Sequence, residues 1–141
     1  MVLLTSQVAV GESGNSGPLA QHFEVLQAAI FLLDVTSAAS LAGDLLDIYV
    51  QSSIDEGVTF DDFVHFTQVL GNGGTKKFLA HWSLYGGPPS TPLKAPQDAA
   101  LAVGVQQGPI GATWRVKWVI TNGGGTHLFT FSVGVQQYGE L

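Results

Sequence analysis

Four histidines, His22, His65, His81 and His127, are the residues of this chain best suited to holding a transition metal. No two stand at the i, i+2 or i, i+4 spacing that sets imidazoles on one face of a strand or helix, and none has a Cys, Asp or Glu partner in a known ligand arrangement. His65 and His81 fall in neighbouring predicted strands and would meet only across a hairpin, so ordinary strand histidines are the expectation. The densest acidic cluster is Asp55, Glu56, Asp61 and Asp62. Its oxygens suit calcium in kind, but the run lacks the internal Gly and the closing Glu of an EF-hand loop, and it reads as a solvated hairpin tip. A glycosidase pair is improbable there, because the acids share one turn with no sugar platform that sequence can locate.

Nucleophile and phosphate motifs are missing too. There is no Gly-x-Ser-x-Gly; Gly11-Glu12-Ser13-Gly14-Asn15 lacks the final glycine at the required place. Gly71-Asn72-Gly73-Gly74 is a turn without the helix that would cradle phosphate. Trp82, Trp114 and Trp118, with Tyr49 and Tyr85, could line a sugar-binding face. Trp114 and Trp118, however, share one side of a predicted strand with Val116 and Ile120, which points to core packing. The expectation is therefore a protein that is not an enzyme, with no catalytic residue, no metal and no cofactor.

The elements that would position such residues are short and alternating. In Leu45 to Ser53, Leu46, Ile48 and Val50 fall on one side and Asp47, Tyr49 and Gln51 on the other, a period of two. Trp114 to Asn122 and Leu128 to Gln137 repeat the pattern, and Phe63 to Leu70 and Lys77 to Tyr85 are further strands. All are rich in aromatic and β-branched residues. An antiparallel sheet with one dry face follows. Leu19 to Val35 is ambiguous: Leu19, Phe23, Leu26, Ile30 and Leu33 match helical spacing, while Ala28 to Val35 reads as a buried strand. Strand is the reading for about 24 to 35, because the segments that follow are strands and sequential strands usually neighbour each other. Asp55-Glu56-Gly57 marks a hairpin, and Gly71 to Gly74 and Asn122 to Gly125 mark turns, a spacing that suggests a sandwich or jelly roll.

At 141 residues the chain fits a single domain, 1–141. Residues 1–18, with a first strand or arm at Leu3 to Val10, read as an N-terminal arm. Residues 86–113, which hold five of the six prolines, read as a long loop reaching a neighbouring subunit. Hydrophobic residues make up 45% and charged residues 11%, a surface so poor in charge that it suits contact with another protein. With no cysteine, stability rests on packing and assembly. Residues 1–75 carry nine acids and no Lys or Arg; residues 76–141 carry all five bases against Asp98 and Glu140. The halves are thus −9 and +3, giving the net −6. Either copies dock acidic on basic surface, or strands of the two halves pair within one sheet and the charges cancel locally, which is the preferred reading. Duplex nucleic acid is not an expected partner, for want of a dense cationic patch. The N-terminus lacks the pattern of a secretory signal and the longest apolar run is too short for a bilayer, so a soluble protein made in a cytoplasm, with no membrane partner, is expected.

Phe31-Leu32-Leu33-Asp34-Val35-Thr36-Ser37, then Leu46 to Ser53, then Asp55-Glu56-Gly57-Val58-Thr59-Phe60, then Trp114-Arg115-Val116-Lys117-Trp118 and Phe129 to Val133, form a succession. It resembles small virion proteins encoded among the head genes of tailed bacteriophages, with Phe60 where a Trp is common. The resemblance implies an all-β, antiparallel, jelly-roll-like sandwich, present in many copies on the capsid exterior as a cement or decoration protein. Its partners would be the major capsid protein and further copies of itself, as dimer or trimer. The contacts expected are Leu3 and Leu4 of the arm, and Pro88, Pro89, Pro92, Leu93, Pro96, Leu101 and Val103 of the loop. The alternatives are a carbohydrate-binding, host-recognition module on tail or head, and a low-copy head–tail completion or tail protein.

Overall fold

The computed structural model describes residues 2–20, 25–39, 41–86 and 97–140. In chain order the strands are β1 (Val2–Val10), β2 (Gly14–Asn15), β3 (Leu19–Ala20), β4 (Val25–Ser37), β5 (Leu45–Ser53) and β6 (Asp61–His65). They continue with β7 (Val69–Leu70), β8 (Lys76–Ser83), β9 (Gly104–Val105), β10 (Thr113–Thr121) and β11 (Phe129–Glu140). No helix occurs among the described residues; of the ambiguous stretch from Leu19 to Val35, Leu19–Ala20 form β3 and the residues from Val25 on belong to β4. The period-two reading of Leu45 to Ser53 matches β5 at both ends.

The strands form an all-β sandwich of two antiparallel sheets. One has the order β1-β11-β4-β8; the other runs β2-β10-β5-β6-β9, with β3 also on β10 and β7 also on β5. From β4 onward, and apart from the β5–β6 hairpin, successive long strands lie in opposite sheets, and the short β2 and β3 carry the chain across between β1 and β4, so it crosses the core repeatedly. Pairs therefore nest: β1 with β11, β2 and β3 with β10, β4 with β8, β5 with β6. Each sheet interleaves strands from the acidic and basic halves of the chain, and Lys77 stands opposite Asp34 in register. The two halves do not occupy separate faces, and the charges meet within the sheets.

The inward residues of both sheets make one core. Phe31, Leu33 and Val35 of β4 meet Phe131 and Val133 of β11, and they face Leu46, Ile48, Val50, Trp114 and Val116 from the other sheet, all at 0–1% exposure. At its centre Phe31, Phe63 and Trp114 are mutual neighbours, with ring centroids 5.5–5.7 Å apart. Tilted and edge-on aromatic pairs of this kind add about 0.5–1.5 kcal/mol beyond the area they bury. A buried indole must find an acceptor. Trp82, Trp114 and Trp118 donate to the carbonyls of Gly108, Gly111 and Glu12 at 3.0, 3.0 and 2.9 Å, tying loops to the ends of the sandwich.

Three sequence readings are corrected. Residues 2–10 are no free arm: β1 pairs with β11, and Leu4 is 6% exposed in the core. Leu3 lies in the same strand. Residues 97–113 do not reach away either. Val105 pairs with Val64, Gln106 N donates to Phe63 O at 2.8 Å, and Gly108 N donates to Ser83 O at 3.1 Å. Pro88, Pro89, Pro92, Leu93 and Pro96 lie outside the described residues. Finally, His65 and His81 stand in different sheets, because β6 follows β5 whereas β8 has crossed to β4.

Gly111 shows how tightly the end of this loop is seated. A Cβ there would overlap the carbonyl group of Ser53, and its own N–H and C=O already serve Ser52 Oγ and Trp114 Nε1. Backbone cannot yield as a side chain can, so Gly111→Ala is expected to cost about 2–3 kcal/mol of stability in urea unfolding, the upper range for overpacking.

Candidate functional site

The outer face of the β5–β6 pair carries the densest polar chemistry. Alternation alone would put Asp62 and His65, three residues apart, on opposite faces. The register shift between Val50 and Gln51 leaves Phe63 as an extra residue, a β-bulge, so that Asp62 opposes Gln51, His65 opposes Tyr49, and both point outward. Phe63 turns into the core at 2% exposure.

This outer face is not dry on one side only, as alternation suggested. Tyr49 is 6% and Gln51 0% exposed, because residues 97–101 lie across this face as a strap before Gly104 and Val105 pair at the edge of β6. Asp62 anchors the strap by accepting from the N–H groups of Ala99, Ala100 and Leu101 at 2.9–3.0 Å, and from Gln51 Nε2 at 2.7 Å. Ala99 adopts φ +57°, a conformation costing an L-residue about 1–2 kcal/mol. It lets consecutive N–H groups converge on one anion as a nest. Next along, His65 Nδ1 lies 2.7 Å from Leu101 O and Nε2 lies 2.9 Å from Asp47 Oδ1, with Tyr49 stacked on the ring at 4.1 Å. Gln68 Nε2 donates to the other oxygen of Asp47 at 2.8 Å.

The network continues onto β10. Gln51 Oε1 accepts from Arg115 Nε at 2.6 Å, Gln51 Nε2 donates also to Asp98 at 2.8 Å, and Lys117 Nζ reaches the same Asp98 oxygen at 2.7 Å. The Arg115 guanidinium sits 4.0 Å over the Phe60 ring, an attraction of about 1–2 kcal/mol when partly desolvated. Burial acts to raise the Asp98 pKa, but the hydrogen bonds and charges of Lys117, Gln51 and Arg115 outweigh it and hold the carboxyl below its ordinary value. Sequence reading missed this constellation. It placed Asp62 on a solvated tip, and the strap that buries Gln51 and Asp62 comes from 35 or more positions away.

The other candidate chemistry is structural. Asp55 organises the hairpin tip: Ser53 Oγ donates to it at 2.6 Å, and Thr59 donates through N and Oγ1 at 2.8 and 2.6 Å, which brings its pKa down to about 2. Asp44, fully buried, accepts from the N–H groups of Gly123, Gly125 and His127 at 2.7–3.2 Å. Burial raises its pKa, and those donors together with nearby His127 reverse the shift to a net lowering. Among the described residues no three His, Cys, Asp or Glu side chains gather as a metal site. A depressed carboxyl contributes stability above its unfolded pKa, near 3.9, and loses it as pH falls toward the folded value. Unfolding midpoints are therefore expected to be flat from pH 7 to about 5 and to drop between about 4 and 2, with Asp55→Asn flattening part of that drop.

The second surface is the outer face of the β1-β11-β4-β8 sheet. Its rows run Lys77–Asp34–Ser132, Leu79–Leu32–Gly134 and His81–Ile30–Gln136. Asp34 and Lys77, the formal charges in these rows, oppose each other. Leu79 is 74% exposed, and Tyr138, further along β11, is 50% exposed. The rows are nearly neutral. Of the loop residues expected to make contacts, Val103 is 56% exposed, while Leu101 is half-buried with its carbonyl held by His65. The three tryptophans, at 1%, 1% and 7% exposure, form no solvent-facing aromatic row. Comparison with known proteins finds no match to a family model, to a curated protein or to a solved structure.

Proposed function

We propose that this chain is a structural virion protein of a tailed phage, a cement or decoration protein that binds the major capsid protein on the outside of the shell and stabilises it. The observation that carries the reading is the nearly uncharged face around Leu79, Leu32, Ile30 and Tyr138, a composition that suits a protein partner. The nested strand order supports it when read as jelly-roll-like, an architecture common in capsid domains. Strand spacing and rise give this face roughly 500 Å², short of the ~800 Å² per partner of a stable pairwise interface. Attachment therefore works through several contacts at once, either across two capsid subunits or through a dimer or trimer of this chain, with affinity gained by avidity.

Co-sedimentation of the protein with expanded, undecorated heads tests the reading. Saturable binding at hundreds of copies per shell with a raised breakage temperature supports cement, and Leu79→Glu is expected to abolish it without unfolding the protein. Binding at a few copies per particle would replace cement by a completion role. No binding to heads would overturn the proposal.

A further inference from the structure

The other sheet carries a feature that capsid attachment leaves unused: a cleft of about 360 Å³ lined by Val58, Thr59, Phe60, Asp98 and Arg115. We propose that this cleft binds a small polyhydroxylated carboxylic acid, of the size and chemistry of a uronic acid, with Arg115 taking its carboxylate and Asp98 its hydroxyls.

Arg115 is already set for that task. Its Nε is held by Gln51 at 2.6 Å, and its guanidinium rests on Phe60, itself 7% exposed. Little rotamer freedom is left to lose on binding. The terminal nitrogens are far less committed. Nη1 has no hydrogen-bond partner among the described residues, and Nη2 stands 3.5 Å from Asp98, beyond the range of a good hydrogen bond. That edge of the fork can give two parallel bonds to a carboxylate.

Asp98 narrows the ligand class. Among the described residues its bonds to Gln51 and Lys117 and its longer contact with Arg115 all end on Oδ1, so Oδ2 keeps its acceptor capacity toward them in a side chain 53% exposed. An open acceptor beside the guanidinium repels a bare anion and attracts hydroxyl donors, so a ligand needs both a carboxylate and hydroxyl groups to match the pair. Lys117 adds a second cation, leaving the trio Arg115, Lys117 and Asp98 at +1 within a chain of net charge −6. Val58, 81% exposed, offers an apolar wall to the C–H face of a ring. A volume of 360 Å³ lies at the small end of ligand pockets, which run about 300–1,000 Å³. The inference stands apart from the capsid reading, since it uses the opposite sheet.

The test is a ¹H–¹⁵N NMR titration of the intact protein with sodium glucuronate at constant ionic strength, run beside glucose and acetate. Saturating shifts are expected at the amides of Thr59, Phe60 and Asp98 and at the Arg115 side chain. Glucose, without the carboxylate, and acetate, without the hydroxyls, should each bind at least about tenfold more weakly. Arg115→Lys keeps the charge and loses the fork, with a similar loss expected. Because that change also disturbs Gln51, Val58→Glu serves as a second variant: it leaves the network and thermal midpoint intact and places a repelling carboxylate at the mouth, abolishing binding. The proposal is overturned by the absence of saturable shifts, by shifts centred elsewhere, by acetate binding as tightly as glucuronate, or by Val58→Glu binding like the parent protein.

Discussion

Replacing Trp114 with alanine is expected to remove about 4–5 kcal/mol of folding stability, the top of the range for truncating a buried aromatic. Trp114 is 1% exposed and touches Phe31 and Phe63 at the point where the two sheets meet. Its removal takes away the largest side chain of the cluster, opens a cavity that two flanking β-sheets cannot close, and leaves Gly111 O without its indole donor. Trp114→Phe retains much of the volume and is expected to cost less than half as much. Urea unfolding read by far-UV circular dichroism checks both; a loss below about 2 kcal/mol for the alanine variant would mean that the core repacks around the gap.

Asp62→Ala is the second large effect, expected at about 3 kcal/mol because a buried charged acceptor vanishes and its donors lose their partner. Four donors converge on Asp62, three of them consecutive strap amides and the fourth Gln51, whose own bonds fix Arg115 and Asp98. The loss should be local in character. Without the carboxylate nothing offsets the left-handed conformation of Ala99, so residues 99–101 come away from the outer face of β5 and β6 while the core between the sheets persists. Hydrogen exchange is the decisive readout: the amides of Ala99, Ala100 and Leu101 should exchange far faster in the variant, and those of Val116 and Val133 only in proportion to global stability. Uniform acceleration across the protein would show the strap to be inseparable from the global fold.

The strap also explains how much of the candidate site could be read in advance. Arg115 and Lys117 alternate with buried Trp114, Val116 and Trp118, so their outward direction followed from period two and held. Asp62 did not follow from it. The bulge at Phe63 reverses the parity of β6, and a reversal of parity leaves no mark in residue type, since Phe63 and Val64 are both apolar and both end in the core. Nor could Gln51 be recognised as a fully buried glutamine from its neighbours, because what covers it arrives from residues 97–101.

The sequence by itself determined which of the long segments are strands, which side chains of β5, β10 and β11 face the core, and, with no cysteine, that packing of aromatic residues rather than disulfides holds the centre. Those properties are local: alternation, β-branched and aromatic content, and turn residues act within a few positions. Only the tertiary structure decided how the strands divide between the two sheets, that the first strand closes against the last, that residues 97–101 lie over β5 and β6, and that Arg115, Gln51, Asp98 and Asp62 meet. The physical reason is that an alternating strand specifies a dry face without specifying its neighbour. Many pairings would bury the same side chains, and the choice among them is made by contacts between distant segments, such as the nest on Asp62 and the indole bonds to Gly108, Gly111 and Glu12.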